Sequence, residues 1–151
     1  MRFEKTKDIL EHARHFHKLV SECYQQLSAG TEKQRLKLLL DYLAQHEKHL
    51  EEVLADYEET IPQNVLRTWF RLSPCQEKFD ILKSLLKEQN PSIDEVIRNA
   101  VQLDDCLIDM YRKVAESAEV ESVREVFKSL LDLEEHEKFK MVRDSLRLQD
   151  L

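Results

Sequence analysis

A single glycine, Gly30, and three prolines leave this chain of 151 residues very little means of making tight turns. β-Sandwiches, collagenous chains and phosphate-cradling loops need glycine at many or at fixed positions, so all three are excluded. Long helices are what remains. Strong helix formers dominate and charged residues make up 35% of the sequence, which sets the class as all-α. The length is close to the commonest size of one domain, so 1–151 is read as a single helical unit.

Charge and apolar runs remove further classes. With 23 Lys and Arg against 30 Asp and Glu, the balance is 23 − 30 = −7, which disfavours nucleic acid and anionic membrane as partners. The longest leucine run, Leu38-Leu39-Leu40, is far too short to span a bilayer, and the expectation is a cytoplasmic protein. Cys23, Cys75 and Cys106 are odd in number and widely spaced, as expected of reduced buried thiols.

Capping chemistry places the helix boundaries. Gly30 is expected to end one helix in a left-handed cap, and Thr31-Glu32-Lys33-Gln34 to start the next with a capping box. Ser73-Pro74-Cys75-Gln76 and Ser92-Ile93-Asp94-Glu95 repeat that box, and Glu121 opens another acidic first turn. Four long helices follow, at about 5–28, 32–58, 92–117 and 120–147. Two short helices are expected between the second and third, around Trp69-Phe70 and from Phe79 to Leu86. The architecture is a four-helix bundle of two helical hairpins joined by a long crossover, with Trp69-Phe70 covering one end.

Each apolar stripe is interrupted by polar groups. Helix one reads Leu10, Ala13, His17, Val20, Tyr24, Leu27, and helix two reads Leu36, Leu39, Leu43, His46, Leu50, Val53, Tyr57, with His49 at its edge. Helix three reads Ile93, Ile97, Ala100, Asp104, Leu107, Tyr111, Val114, and helix four reads Val123, Phe127, Leu130, Glu134, Glu137, Met141. At ~1.5 Å rise per residue, His17, His46, His49, Asp104, Glu134 and Glu137 all lie about 20–28 Å from their hairpin turns. A buried unpaired charge costs several kcal/mol, so interruptions at one level in all four stripes predict one mid-bundle cluster.

This pattern resembles the ferritin-like superfamily, most closely the rubrerythrin-type domain. His17 precedes Tyr24 by seven and Asp104 precedes Tyr111 by seven, as the ligand Glu precedes Tyr on two helices of that family. His46-Glu47-Lys48-His49 and Glu134-Glu135-His136-Glu137 stand at its two Glu-x-x-His positions. The resemblance implies a ferritin-like fold and metal-dependent oxidoreductase chemistry. It also implies Fe or Mn, as one ion or a mismatched pair, on His17, His46, His49, Asp104, Glu134 and Glu137, with Tyr24 and Tyr111 close by and an external electron donor. His46 at a bridging place is a departure, because a neutral imidazole offers one lone pair to one metal.

Other readings stand beside it. The same six residues can satisfy one another as a metal-free hydrogen-bonded network in a non-catalytic scaffold, docking a partner or a second copy through an apolar face near Leu38. Pairing His46-Glu47-Lys48 with His136-Glu137-Lys138 is an alternative register that removes the metal site. A hemerythrin-like oxygen carrier fares poorly, because Leu50 and Val53 stand where His-x-x-x-Glu needs a carboxylate.

Overall fold

The computed structural model describes residues 2–72, 77–87 and 90–150. The elements run β1 (Arg2–Lys5), α1 (Thr6–Ala29), α2 (Gln34–Thr60), α3 (Gln63–Leu66), β2 (Trp69–Leu72), α4 (Glu77–Lys87), α5 (Ile93–Ser117) and α6 (Glu121–Gln149). The four long helices are the bundle, and they match the expected spans closely. α1 packs along α2 and α5 along α6, two hairpins closed by the short links 30–33 and 118–120, while residues 61–92 form the crossover. Within the crossover Val65, Leu66, Leu82 and Leu85 are buried, and α4 packs on α5.

Two expectations in the crossover are corrected. Trp69 and Phe70 lie on a strand, not a helix; β2 pairs antiparallel with β1, Lys5 opposite Trp69 and Glu4 opposite Phe70. Alternation divides their roles. Phe70 turns inward to meet the Phe127 ring edge-on at 5.5 Å, whereas Trp69 is exposed, with the Lys5 ammonium 5.0 Å from its ring centroid. Phe70 therefore covers the bundle end and Trp69 does not. The ribbon was invisible in the sequence because its first strand, Arg-Phe-Glu-Lys, is too short to show a pattern.

Helix ends show which signals were local. Ser92 caps α5 as expected: its hydroxyl accepts from the Glu95 N–H at 3.1 Å, and Glu95 accepts from the Ser92 N–H at 3.4 Å. Gly30 does not take a left-handed conformation; it lies at φ −90°, ψ −3°, with its N–H donating to the Gln26 and Leu27 carbonyls. The Thr31 box does not form either, because α2 begins two residues later than that box requires, with Lys33 at its N-cap and Thr31 accepting from the Lys33 N–H. The Ser73-Pro74-Cys75-Gln76 box lies outside the described residues. Cys23 is a free, buried thiol, pushed up to about 11 by burial, but Cys106 is disulfide-bonded, correcting the expectation of three reduced thiols. Wide spacing in sequence does not oppose a bond that the tertiary fold makes. Among the described residues no helix is long and apolar enough to cross a membrane.

Replacing Ser92 by Ala should cost about 1 kcal/mol, which lowers the melting temperature by about 2–4 °C for a chain of this size. Gly30→Ala should instead stabilise by about 0.4–1 kcal/mol, since a Cβ there meets only the Gln26 and Leu27 oxygens at 3.6 and 3.7 Å. Thermal melts followed by circular dichroism check both.

Candidate metal centre

The buried line of α2 is Leu36, Leu40, Leu43, Glu47, Leu50 and Leu54, none more than 5% exposed. This three-and-four walk differs from the one expected, which ran through Leu39, His46 and Val53. The expected walk is buried too at Leu39 and His46, and half-buried at Val53 and Tyr57, so the packing of α2 against α1 and α6 buries a stripe wide enough to take in both lines. Glu47 therefore points into the bundle, and His49 is exposed and takes no part in the cluster. Leu40 and Leu54 were the available signal: they lie on an apolar line that Glu47 alone breaks.

His17 on α1 is fully buried and lies between two carboxylates. Its Nδ1 is 2.5 Å from Glu47 Oε2, and its Nε2 is 2.9 Å from Glu134 Oε1 on α6. Burial alone would push the imidazole down, but the Glu134 and Glu47 charges overcome it and hold its pKa well above the ordinary value. With an acceptor facing each nitrogen, the ring donates from both and carries a positive charge. This is a charge-assisted link between the two hairpins.

The remaining expected residues close round this pair. Asp104 of α5 is buried to 2% exposure; burial first, then Glu47 and Glu134, raises its pKa well above the usual carboxylate range. His46 lies beside Glu47 and is buried, its Nδ1 3.9 Å from Glu137 Oε2. Burial lowers the His46 pKa, against the opposing pull of Glu47 and Glu137. Tyr24 and Tyr111 are fully buried, their hydroxyls held un-ionised by burial and next by Glu47 with Asp104 for Tyr24 and by Glu134 for Tyr111. The structure thus gathers His17, His46, Asp104, Glu134 and Glu137, leaves out His49, and adds Glu47. The set becomes four carboxylates and two imidazoles instead of three of each, with Glu47 rather than His46 facing Glu134 across His17. Leu50 stands three residues after Glu47, where the resemblance would place an imidazole.

Several of these groups have no partner. Asp104 Oδ2, Glu134 Oε2, Glu137 Oε2, His46 Nε2 and both tyrosine hydroxyls are buried without a hydrogen bond. An unsatisfied buried polar atom costs about 1–3 kcal/mol, more when charged, so the residues present fit a cation in chemistry: hard carboxylate oxygens with an imidazole nitrogen suit Fe²⁺, Mn²⁺ or Zn²⁺. As they stand, no three His, Cys, Asp or Glu side chains among the described residues are gathered closely enough to hold an ion. His17 offsets Glu47 and Glu134, and Asp104, raised by those same two charges, is relieved by a proton or by a cation.

No family model matches this chain, and no curated protein matches it. Among solved structures it is similar to one from Thermotoga maritima described as a candidate ferritin-like diiron-carboxylate protein. The identity is 16%, the match covers 96% of this chain and 97% of that one, and the TM-score is 0.60. At that identity the likeness establishes a ferritin-like fold.

The pH dependence of the ion-free protein follows from these shifts. His17 holds its proton more tightly folded than unfolded, so its stabilisation is complete below its ordinary pKa of 6.5 and is lost as pH rises through the raised folded value. Asp104, also raised, acts in the same direction from its ordinary 3.8 upward, whereas lowered His46 opposes only below 6.5. Chelator-treated protein should lose thermal stability as pH rises above 6.5, and His17→Gln should flatten that decline. A wild-type melting temperature independent of pH over this range would contradict the charged His17 link.

Proposed function

We propose that this chain is a ferritin-like metal protein that uses a mid-bundle divalent cation, Fe²⁺ or Mn²⁺, for redox chemistry on O₂ or peroxide. The observation that carries this reading is the set of unpartnered buried donors, Asp104 Oδ2, Glu134 Oε2, Glu137 Oε2 and His46 Nε2, offered by three helices at one level. The Thermotoga neighbour, of the same fold and described as a candidate diiron-carboxylate protein, supports a metal reading. A bound redox-active ion would supply one-electron chemistry with oxygen species. The chain's own residues would do the rest. Asp104, Glu134 and Glu137 would neutralise the charge, with His46 as the nitrogen donor. Glu47 and His17 would hold Glu134 in place. The Tyr24 and Tyr111 hydroxyls, un-ionised beside Glu47 and Glu134, can hold a proton next to the carboxylates. Burial restricts the substrate: His17, Asp104 and Glu134 are at most 2% exposed and Glu137 alone lies nearer the surface, so a diatomic or a peroxide is the size that would reach them. Electrons would come from an external donor.

A second reading rests on His17 itself. Its charged ring already neutralises Glu47 and Glu134, as a metal would, and a network of this kind can serve a non-catalytic scaffold. That scaffold would dock a partner or a second copy through Leu38, Phe139 and Leu146, exposed on α2 and α6.

Elemental analysis of protein purified without a chelating tag separates the two. On the metal reading, iron or manganese is near stoichiometric, is lost in Asp104→Asn and Glu134→Gln, and added Mn²⁺ at about 100 times its Kd stabilises the wild type by about 2.7 kcal/mol. Ion-free protein whose melting temperature does not respond to Fe²⁺, Mn²⁺ or Zn²⁺ supports the scaffold.

A further inference from the structure

α2 and α6 run antiparallel along one outer seam of the bundle. Arg35 reaches the Gln149 carbonyl at 3.5 Å, Tyr42 donates to Asp144 at 3.0 Å, and His46 sits 3.9 Å from Glu137. α1 takes the far flank of α2 through Ala44 and Asp41, and α5 takes the far flank of α6 through Glu135 and Lys138. Two exposed lines remain on the seam: Leu38, His49 and Asp56 on α2, and Asp132, Phe139 and Leu146 on α6. Phe139 is 71% exposed, the most of any large apolar side chain among the described residues.

Charge divides this face into halves. Where α2 starts and α6 finishes, Arg35, Lys140, Arg143 and Arg147 are exposed, with Asp144 shared by the last two arginines. Towards the other end Glu52, Asp56, Glu125 and Asp132 are exposed, with Lys128 among them. The boundary falls near His49 and His136, which the register of α2 on α6 brings to about one level.

We infer that a second copy of this chain docks on the α2/α6 face, about a two-fold axis that crosses the seam near His49 and His136 at right angles to both helices. That axis lays α2 on the partner's α2 and α6 on the partner's α6, each pair antiparallel, so a basic half meets an acidic half at both ends. An axis along the helices would instead set like charges against each other. A foreign acidic partner matches only one half of the face, whereas a second copy matches both. Phe139 lies ~4.5 Å along α6 from His136, so the two Phe139 rings are buried together at the centre with the charges at the rim. The area suffices. α2 has 27 residues and is ~40 Å long, and two packed helices are about 20 Å wide, which gives each copy about the 800 Å² that a stable dimer buries. This rests on the docking face of the second reading above, and not on what the core cluster holds.

The test is the solution mass of the full-length chain, measured by sedimentation at micromolar concentration. The wild type is expected at twice its 18.0 kDa chain mass, and Phe139→Glu at the monomer mass. Two double variants reverse the charges: Lys140→Glu with Arg143→Glu, and Glu52→Lys with Asp132→Lys. Each turns both junctions into like-charge contacts and should weaken self-association at least about tenfold, while an equimolar mixture of the two restores the dimer. All five positions are exposed, and far-UV circular dichroism confirms that each variant is folded. A monomeric wild type overturns the inference without recourse to any variant. So does a dimer untouched by Phe139→Glu, or a mixture that associates no more tightly than either double variant alone. Elemental analysis of the same samples reports separately on the core: a monomer with stoichiometric metal removes the interface and leaves the metal reading standing, and a metal-free dimer does the reverse.

Discussion

The contact on which the centre of this molecule depends is the imidazole of His17 held between Glu47 and Glu134. Taking a carboxylate out of water costs several kcal/mol, and the bundle takes in four at one level. Two of them are offset by a cation from the chain itself, in good hydrogen-bonding geometry and joining three helices. Asp104 meets the same difficulty differently, by holding its proton against the pull of solvent. Glu137 and His46 sit at the margin, near enough to interact and too far for a hydrogen bond.

A ring that spends both nitrogens on carboxylates ties the α1/α2 hairpin to α6. Around it Asp104 Oδ2, Glu134 Oε2, Glu137 Oε2 and His46 Nε2 stay without a hydrogen bond, donors drawn from both hairpins. Tyr24 and Tyr111 repeat the pattern on a smaller scale, two hydroxyls buried at matching places with no partner. Interior polar atoms left in this state are rare in folded proteins.

Much of the fold was legible in the sequence because its signals were local. A near-absence of glycine, strong helix formers and the Ser92-Ile93-Asp94-Glu95 box each act within a turn or two of chain, and the four long helices came out where those signals put them. The misses were also local signals, overridden by their surroundings. Gly30 could have been left-handed but had no need to be, since its N–H reaches the carbonyls of α1 from an ordinary conformation. Trp69-Phe70 became a strand because an N-terminal segment 64 or more positions away pairs with it, and no window of sequence contains both.

By itself the sequence determined that four helices would form, how they would be wired, and that each would bring polar groups to a common height. Helical periodicity and chain length suffice for that. Which way α2 is turned was decided only by the tertiary structure. Two apolar walks, one through His46 and one through Glu47, are equally good on an isolated helix, because steps of three and four residues both keep a side chain on one face. Packing against α1 and α6 buries both lines, taking Leu39, Leu40, His46, Glu47 and Leu54 inward and leaving only His49 of the expected residues out in water. A carboxylate thus joins His46 at the centre of the bundle in place of His49, and the charge balance of the cluster follows from it.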